Sequence, residues 1–189
     1  ARGMARLDRA RRPAYNPPMT VPHETALTRH AGIRVPLICG AMYPCSNPEL
    51  VAAASEAGAL GVIQPMSIVF AHGMSFRAGM ERIRQLTRAP VGFNAIIEKT
   101  IKAYERQMRS WIDVALEQGV RFFITALGNP RWVVRLVGQV GGVVYHDVTE
   151  RRWALKALDA GVKGLICVNS RAGGHAGQLS PQQLLEQVA

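Results

Sequence analysis

EAGALGVI at residues 56–63, EQGVRFFI at 117–124 and DAGVKGLI at 159–166 are three versions of one pattern. Each runs from an acid, through a glycine two residues later, to an apolar stretch that ends in isoleucine. A glycine just past a helical period closes the helix in the left-handed conformation. A short apolar run after it reads as a strand buried on both faces. Each stretch therefore marks a return from helix to strand. The three returns fall at every second strand, so the chain is built of repeating strand–helix units. Such units join parallel strands through right-handed crossovers.

The rest of the chain fits that frame. Strands are predicted near 37–42 (LICGAM), 60–66 (LGVIQPM), 91–97 (VGFNAII), 121–127 (RFFITAL), 142–148 (GVVYHDV) and 164–168 (GLICV). Helices are predicted over 47–57, 76–87, 103–118, 130–139, 150–160 and 181–188. Asn47-Pro48, Asn129-Pro130 and Ser180-Pro181 each place a capping side chain before a proline suited to the first helical turn. Ser180 and Gln183 have the spacing of a capping box. In the helix at 103–118, Tyr104, Met108, Trp111, Ala115 and Leu116 share one face.

Two architectures satisfy a repeating βα pattern: an open Rossmann-like sheet and a (β/α)8 barrel. No G-x-G-x-x-G follows the first strand, as a dinucleotide fold would want. Met42, Gln64, Asn94, Thr125, His146-Asp147 and Asn169 gather at the carboxyl ends of different strands, where barrel active sites are built. The expectation is a parallel (β/α)8 TIM barrel, incomplete, with about six βα units present. Six strands would leave two edges, which natural sheets avoid: either the chain is a fragment of a longer enzyme, or it survives by association, as in a homo-oligomer, or it is unstable and inactive.

Of the 189 residues, 48% are apolar, enough for a sizeable core. No apolar run reaches the roughly 18 residues of a membrane span, and no apolar signal-peptide core follows the arginine-rich start. The expected setting is cytoplasmic, without a membrane. Residues 1–24 are rich in arginine and proline and read as a basic arm, with the barrel domain over 25–189. The net charge is +10, and residues 1–34 hold seven arginines against Asp8 and Glu24. Outside that stretch no basic stripe with interleaved aromatics is seen, so nucleic acid is not the expected partner. An anionic cofactor or a phosphate accounts for the mild positive charge. Cys39, Cys45 and Cys167 have no metal spacing; Cys39 and Cys167, inside apolar runs, read as small buried thiols.

The stretch NSRAGGHAG, 169–177, sets His175 among glycines just after the sixth strand. One reading is a glycine-rich turn with an exposed histidine. The other is a proton-transferring imidazole standing over a ligand that bare backbone approaches closely. His146 and Asp147 could form a polar pair at the end of the fifth strand.

With PLICGAM (36–42), GFNA (92–95) and HDVTERRWALKALDAGVKGLICVNSRAGGHAGQLSP (146–181), the chain from about Thr25 onward resembles the nitronate monooxygenase family, also called 2-nitropropane dioxygenase. The AGGHAG loop is the most specific part of that likeness. The resemblance implies a TIM barrel holding FMN without a covalent link. It implies a catalytic base at His175 and flavin contacts at Ala41, Met42, Tyr43, Asn94, Gly173 and Gly174. Gln64 faces the flavin or serves as an amide at the core rim. The implied substrates are nitroalkanes and nitronates, oxidised with O2. A related reading is an NAD(P)H-dependent flavin reductase acting on quinones or enoyl thioesters, and a third is a non-catalytic barrel remnant that binds a partner. Some members carry Gln at the position of Cys39 and Lys at that of Asp147, and the family's phosphate loops belong to strands seven and eight.

Overall fold

The helix-to-strand returns are where the echo places them. In the computed structural model, which describes residues 24–98 and 100–189, Gly58, Gly119 and Gly161 have φ of 94°, 79° and 92°. These left-handed glycines end helices α2 (Pro48–Glu56), α4 (Lys102–Glu117) and α6 (Arg151–Asp159). The strands that follow are β2 (Leu60–Ile63), β4 (Phe122–Ala126) and β6 (Gly164–Cys167). Between them lie β1 (Ile38–Cys39), β3 (Val91–Ile96) and β5 (Val143–Val148), with helices α3 (Phe76–Leu86), α5 (Arg131–Gly138) and α7 (Pro181–Val188). Asn47 accepts a hydrogen bond from the Leu50 N–H at 2.8 Å, and Ser180 with Gln183 forms the expected capping box. Asn129 accepts from the Arg131 N–H at 2.9 Å but does not cap α5 as expected, because Pro130 stands at the cap position and the helix starts at Arg131.

All six strands are parallel and pair in the order β1-β2-β3-β4-β5-β6. The sheet curls into a half-barrel alternating with helices, an incomplete TIM barrel. Side chains alternate across it. Ile63, Phe93, Ala95, Phe123, Val144 and Val148 point outward into the main core, where Met80, Met108, Trp111 and Ile112 of the helices meet them. Leu60, Val62, Phe122, Ile124 and Tyr145 turn inward.

The inner layer is closed at the amino ends of the strands by a helix the sequence patterns did not predict, α1 (Ala26–Ala31). Ala31 and Ile33 pack against the inner residues. His30 Nδ1 lies 3.0 Å from the Tyr145 hydroxyl, and the Tyr145 ring stacks at 4.7 Å on Phe122. Gly164 lies beneath that ring: a Cβ there would come within 2.4 Å of it.

Two strands are shorter than expected. β1 ends at Cys39, because the chain peels off the edge of the sheet. β2 ends at Ile63, because residues 64–66 lead into a π-helical turn, Ser67–Ala71. Cys39 and Cys167 are half-buried rather than buried, since β1 and β6 are the sheet's edges. The arm expected over 1–24 lies, apart from Glu24, outside the described residues. Among the described residues no helix is long and apolar enough to cross a membrane.

Candidate functional site

At the carboxyl end of β1 the chain from Ala41 to Tyr43 forms an open loop. Ala41 packs against the inner cluster, while Met42 and Tyr43 are exposed. The Met42 backbone is fixed by two buried serines that the sequence reading did not single out. Ser46 Oγ accepts from the Met42 N–H at 2.9 Å, and Ser67 Oγ donates to the Met42 carbonyl at 3.2 Å. The Ser46 N–H donates to the same carbonyl at 2.8 Å. His72 Nε2 donates to the Pro44 carbonyl at 2.9 Å. The π-helical turn after β2 thus holds the β1 loop and leaves the Met42 side chain standing out. An irregular turn of this kind, common at functional sites, was the available signal, and it is hidden in sequence by ordinary residues.

Gln64 is buried directly after β2. Its side-chain oxygen accepts from the Met66 N–H at 2.6 Å, so that end of the amide serves its own turn. The other end makes no hydrogen bond among the described residues. Asn94 is half-buried in β3, in register with Ile124, and shares the inner side. Neither end of its amide is hydrogen-bonded among the described residues. A half-buried amide of this kind, with both ends unsatisfied on a concave surface, suits a polar ligand.

On β5, successive residues separate. His146 points outward and is buried; its Nδ1 lies 2.8 Å from Thr125 Oγ1, which donates to the Tyr145 carbonyl at 3.1 Å. Burial lowers the His146 pKa, opposed by its hydrogen bond to the Thr125 backbone. Asp147 points inward, beside Ile166 of β6. The polar pair expected of His146 and Asp147 does not form, because neighbours in a strand face opposite sides. With no hydrogen-bond partner among the described residues, the Asp147 carboxyl is pushed by burial up to about 6.

After β6 the glycine loop is shaped by Asn169. Its carbonyl accepts from the N–H groups of Ala172 and Gly177, and its side chain accepts from the Arg171 N–H at 2.9 Å. Gly177 is required by packing, since a Cβ would lie 2.4 Å from the Val168 carbonyl. Gly173 and Gly174 face open space, with no atom within 4 Å of where a Cβ would stand. Gly174 has φ of 74°, which favours glycine by itself; Gly173 has no such reason. His175 is exposed, with no hydrogen bond among the described residues. The site residues therefore share the carboxyl end of the sheet, but on separate elements: the Met42 loop follows one edge strand and His175 the other.

Bare glycines, a clamped loop with outstanding Met42 and the unsatisfied Asn94 amide suit the ring of a flat heterocyclic cofactor. These features lie at the strands' carboxyl ends, where (β/α) barrels build their sites. The chain belongs to the nitronate monooxygenase family, whose members are flavin-dependent, and the family model matches residues 24–189.

Its relatives divide between two chemistries. A nitronate monooxygenase from Pseudomonas aeruginosa is 27% identical, over 82% of this chain and 53% of its own length. A (3aS,4S,5R,7aS)-5-hydroxy-7a-methyl-1-oxo-octahydro-1H-indene-4-carboxyl-CoA dehydrogenase from Rhodococcus jostii is 26% identical, over 87% and 44%. The structure of FabK from Thermotoga maritima matches with a TM-score of 0.72 and 26% identity, covering 87% of this chain and 50% of that one. The chain spans about half the length of the curated relatives it matches.

Proposed function

We propose that this chain carries the ring-binding and proton-abstracting part of an FMN-dependent oxidoreductase of the nitronate monooxygenase type, acting on nitroalkanes or nitronates with O2. The observation that carries the reading is His175, exposed and unpartnered beside open glycines, on the loop that leaves β6 at the sheet's carboxyl end. Bound FMN would supply the electron-accepting chemistry that no side chain offers.

The protein's own residues do the rest. Met42 and the backbone of Ala41 and Tyr43 would hold the ring on the β1 side. Asn94 offers a donor and an acceptor to its polar edge. Gly173 and Gly174 admit it without a side chain in the way. Gln64 has only its NH2 end left to offer, as a donor. A ring nitrogen of His175 takes the α-proton of a neutral nitroalkane, leaving the nitronate. For the FMN phosphate, the family resemblance points to βα units seven and eight, beyond the six described.

His175→Ala is expected to leave flavin bound. It should slow oxidation of a neutral nitroalkane by about 10²–10⁴-fold, the usual contribution of a general base, and barely affect preformed nitronate. Equal slowing of both substrates would remove the histidine from the base role.

The carboxyl-CoA dehydrogenase relatives favour a second reading within the same class, an NAD(P)H-linked flavin enzyme acting on thioesters. Steady NAD(P)H consumption with an enoyl thioester or a quinone, without nitronate-dependent oxygen uptake, would select it.

A further inference from the structure

The cleft of about 760 Å³ in this structure lies away from the site just described, at the amino ends of β3 and β4. Its walls come from α1, from the turn joining α3 to β3 and from the turn joining α4 to β4. Arg29, Arg84, Arg88, Arg121 and His30 line it, and Glu117 is the carboxylate on the wall. Two of these charges are already answered: Glu117 is held by Arg77 at 2.7 Å, and Arg29 by Glu24 at 3.1 Å.

That leaves Arg84, Arg88 and Arg121 without a carboxylate among the described residues. Arg84 is half-buried and anchored, donating to the Gln118 carbonyl at 3.0 Å and the Ala89 carbonyl at 3.3 Å. Arg121 donates to the carbonyls of Leu116 at 3.1 Å and Val120 at 2.8 Å. Arg88 makes no hydrogen bond or ion pair among the described residues. Burial first, and then the charge of Arg88, lower the Arg84 pKa, so like charges are held close in a partly desolvated wall.

Helix ends explain part of this arrangement. The carboxyl termini of α1, α3 and α4 converge on the cleft, each presenting roughly half a negative charge. Three such ends offset about half of three guanidinium charges. Residues 1–23 hold five arginines against one aspartate and so add no net negative charge. Barrel chemistry is placed at the opposite end of the strands, so the excess also has no role in the proposed reaction.

We infer that this amino-end cleft is a second ligand site, taking a small phosphate-bearing anion between the guanidinium groups of Arg84, Arg88 and Arg121. Ala31, Pro90, Val91 and Phe122 line the rest of the cleft, and its one lining carboxylate, Glu117, is held by Arg77. Arginines fastened by carbonyls are preorganised for phosphate oxygens, which lowers the ordering cost of binding.

Titration calorimetry of the full chain with inorganic pyrophosphate at low salt tests the site. Saturable binding that weakens with salt is expected. Arg88→Glu, a change at an exposed and unbonded side chain, should weaken it by at least about tenfold, whereas Arg152→Glu on distant α6 should not. Thermal unfolding checks that both variants fold. No saturable heat, or equal weakening by the two variants, overturns the site and leaves the arginines to the helix ends alone. Binding seen only with a long polyanion such as heparin overturns the assignment to a small ligand.

Discussion

Asp147→Asn offers a direct test of the inner wall. The carboxyl sits on the concave side of β5 with no hydrogen-bond partner among the described residues, and burial raises its pKa from 3.8 to about 6. At about 1.36 kcal/mol per pKa unit, ionising it in the folded state costs up to roughly 3 kcal/mol. Solvent reaching the open mouth reduces that, so about 1–3 kcal/mol is expected.

The sign follows from linkage. Below the unfolded value both states hold the proton and no penalty exists. As pH rises from there, the unfolded chain releases its proton first, and the folded protein loses stability until the folded value is passed. Asparagine has no such proton. In urea unfolding of the flavin-free protein, the variant's advantage over the parent should therefore grow between about pH 4 and pH 6.5, then level off. A difference that is flat with pH, or that shrinks as pH rises, would show that Asp147 is solvated or paired in the folded protein.

Two further outcomes separate binding from folding. Gly173→Val should change unfolding free energy by less than about 0.5 kcal/mol, because nothing stands where the new side chain goes; flavin titration should show binding lost. Retained binding would remove Gly173 from the ring surface. Ser46→Ala should cost about 1–3 kcal/mol in urea unfolding by stranding the Met42 N–H and should weaken flavin binding as the loop loosens; an unchanged variant would mean that the two bonds to the Met42 carbonyl, from Ser67 Oγ and the residue 46 N–H, suffice to fix the loop.

The order of elements is legible in the sequence because its punctuation is strong. Gly58, Gly119 and Gly161 end helices through their backbone freedom, and Asn47 and Ser180 start them through their side chains. These signals act locally, within three or four residues. What the sequence hides is set at longer range. Helix α1 has only six residues and no apolar period, and it forms because Ala31 and Ile33 meet Phe122 and Tyr145. The pattern of β2 runs on to Met66, whereas residues 64–66 lead into the π-helical turn at Ser67–Ala71, which no local period marks.

Of the candidate site, the loops and their glycines were readable from local chemistry. The expected His146–Asp147 pair fails because adjacency in sequence is not adjacency in space: strand alternation turns His146 outward to Thr125 and Asp147 inward. The arginines of the amino-end cleft are spread over more than ninety residues, and no window brings them together.

The plug at the barrel floor has a kinetic consequence. His30 and Tyr145 are 115 residues apart in the chain, whereas paired strands follow one another directly in chain order. Closing the longer loop carries the larger entropic cost. During synthesis α1 is made before β5, so its seat on Tyr145 exists only once β5 has been made. Until α1 docks there, the inner apolar layer stays open to water.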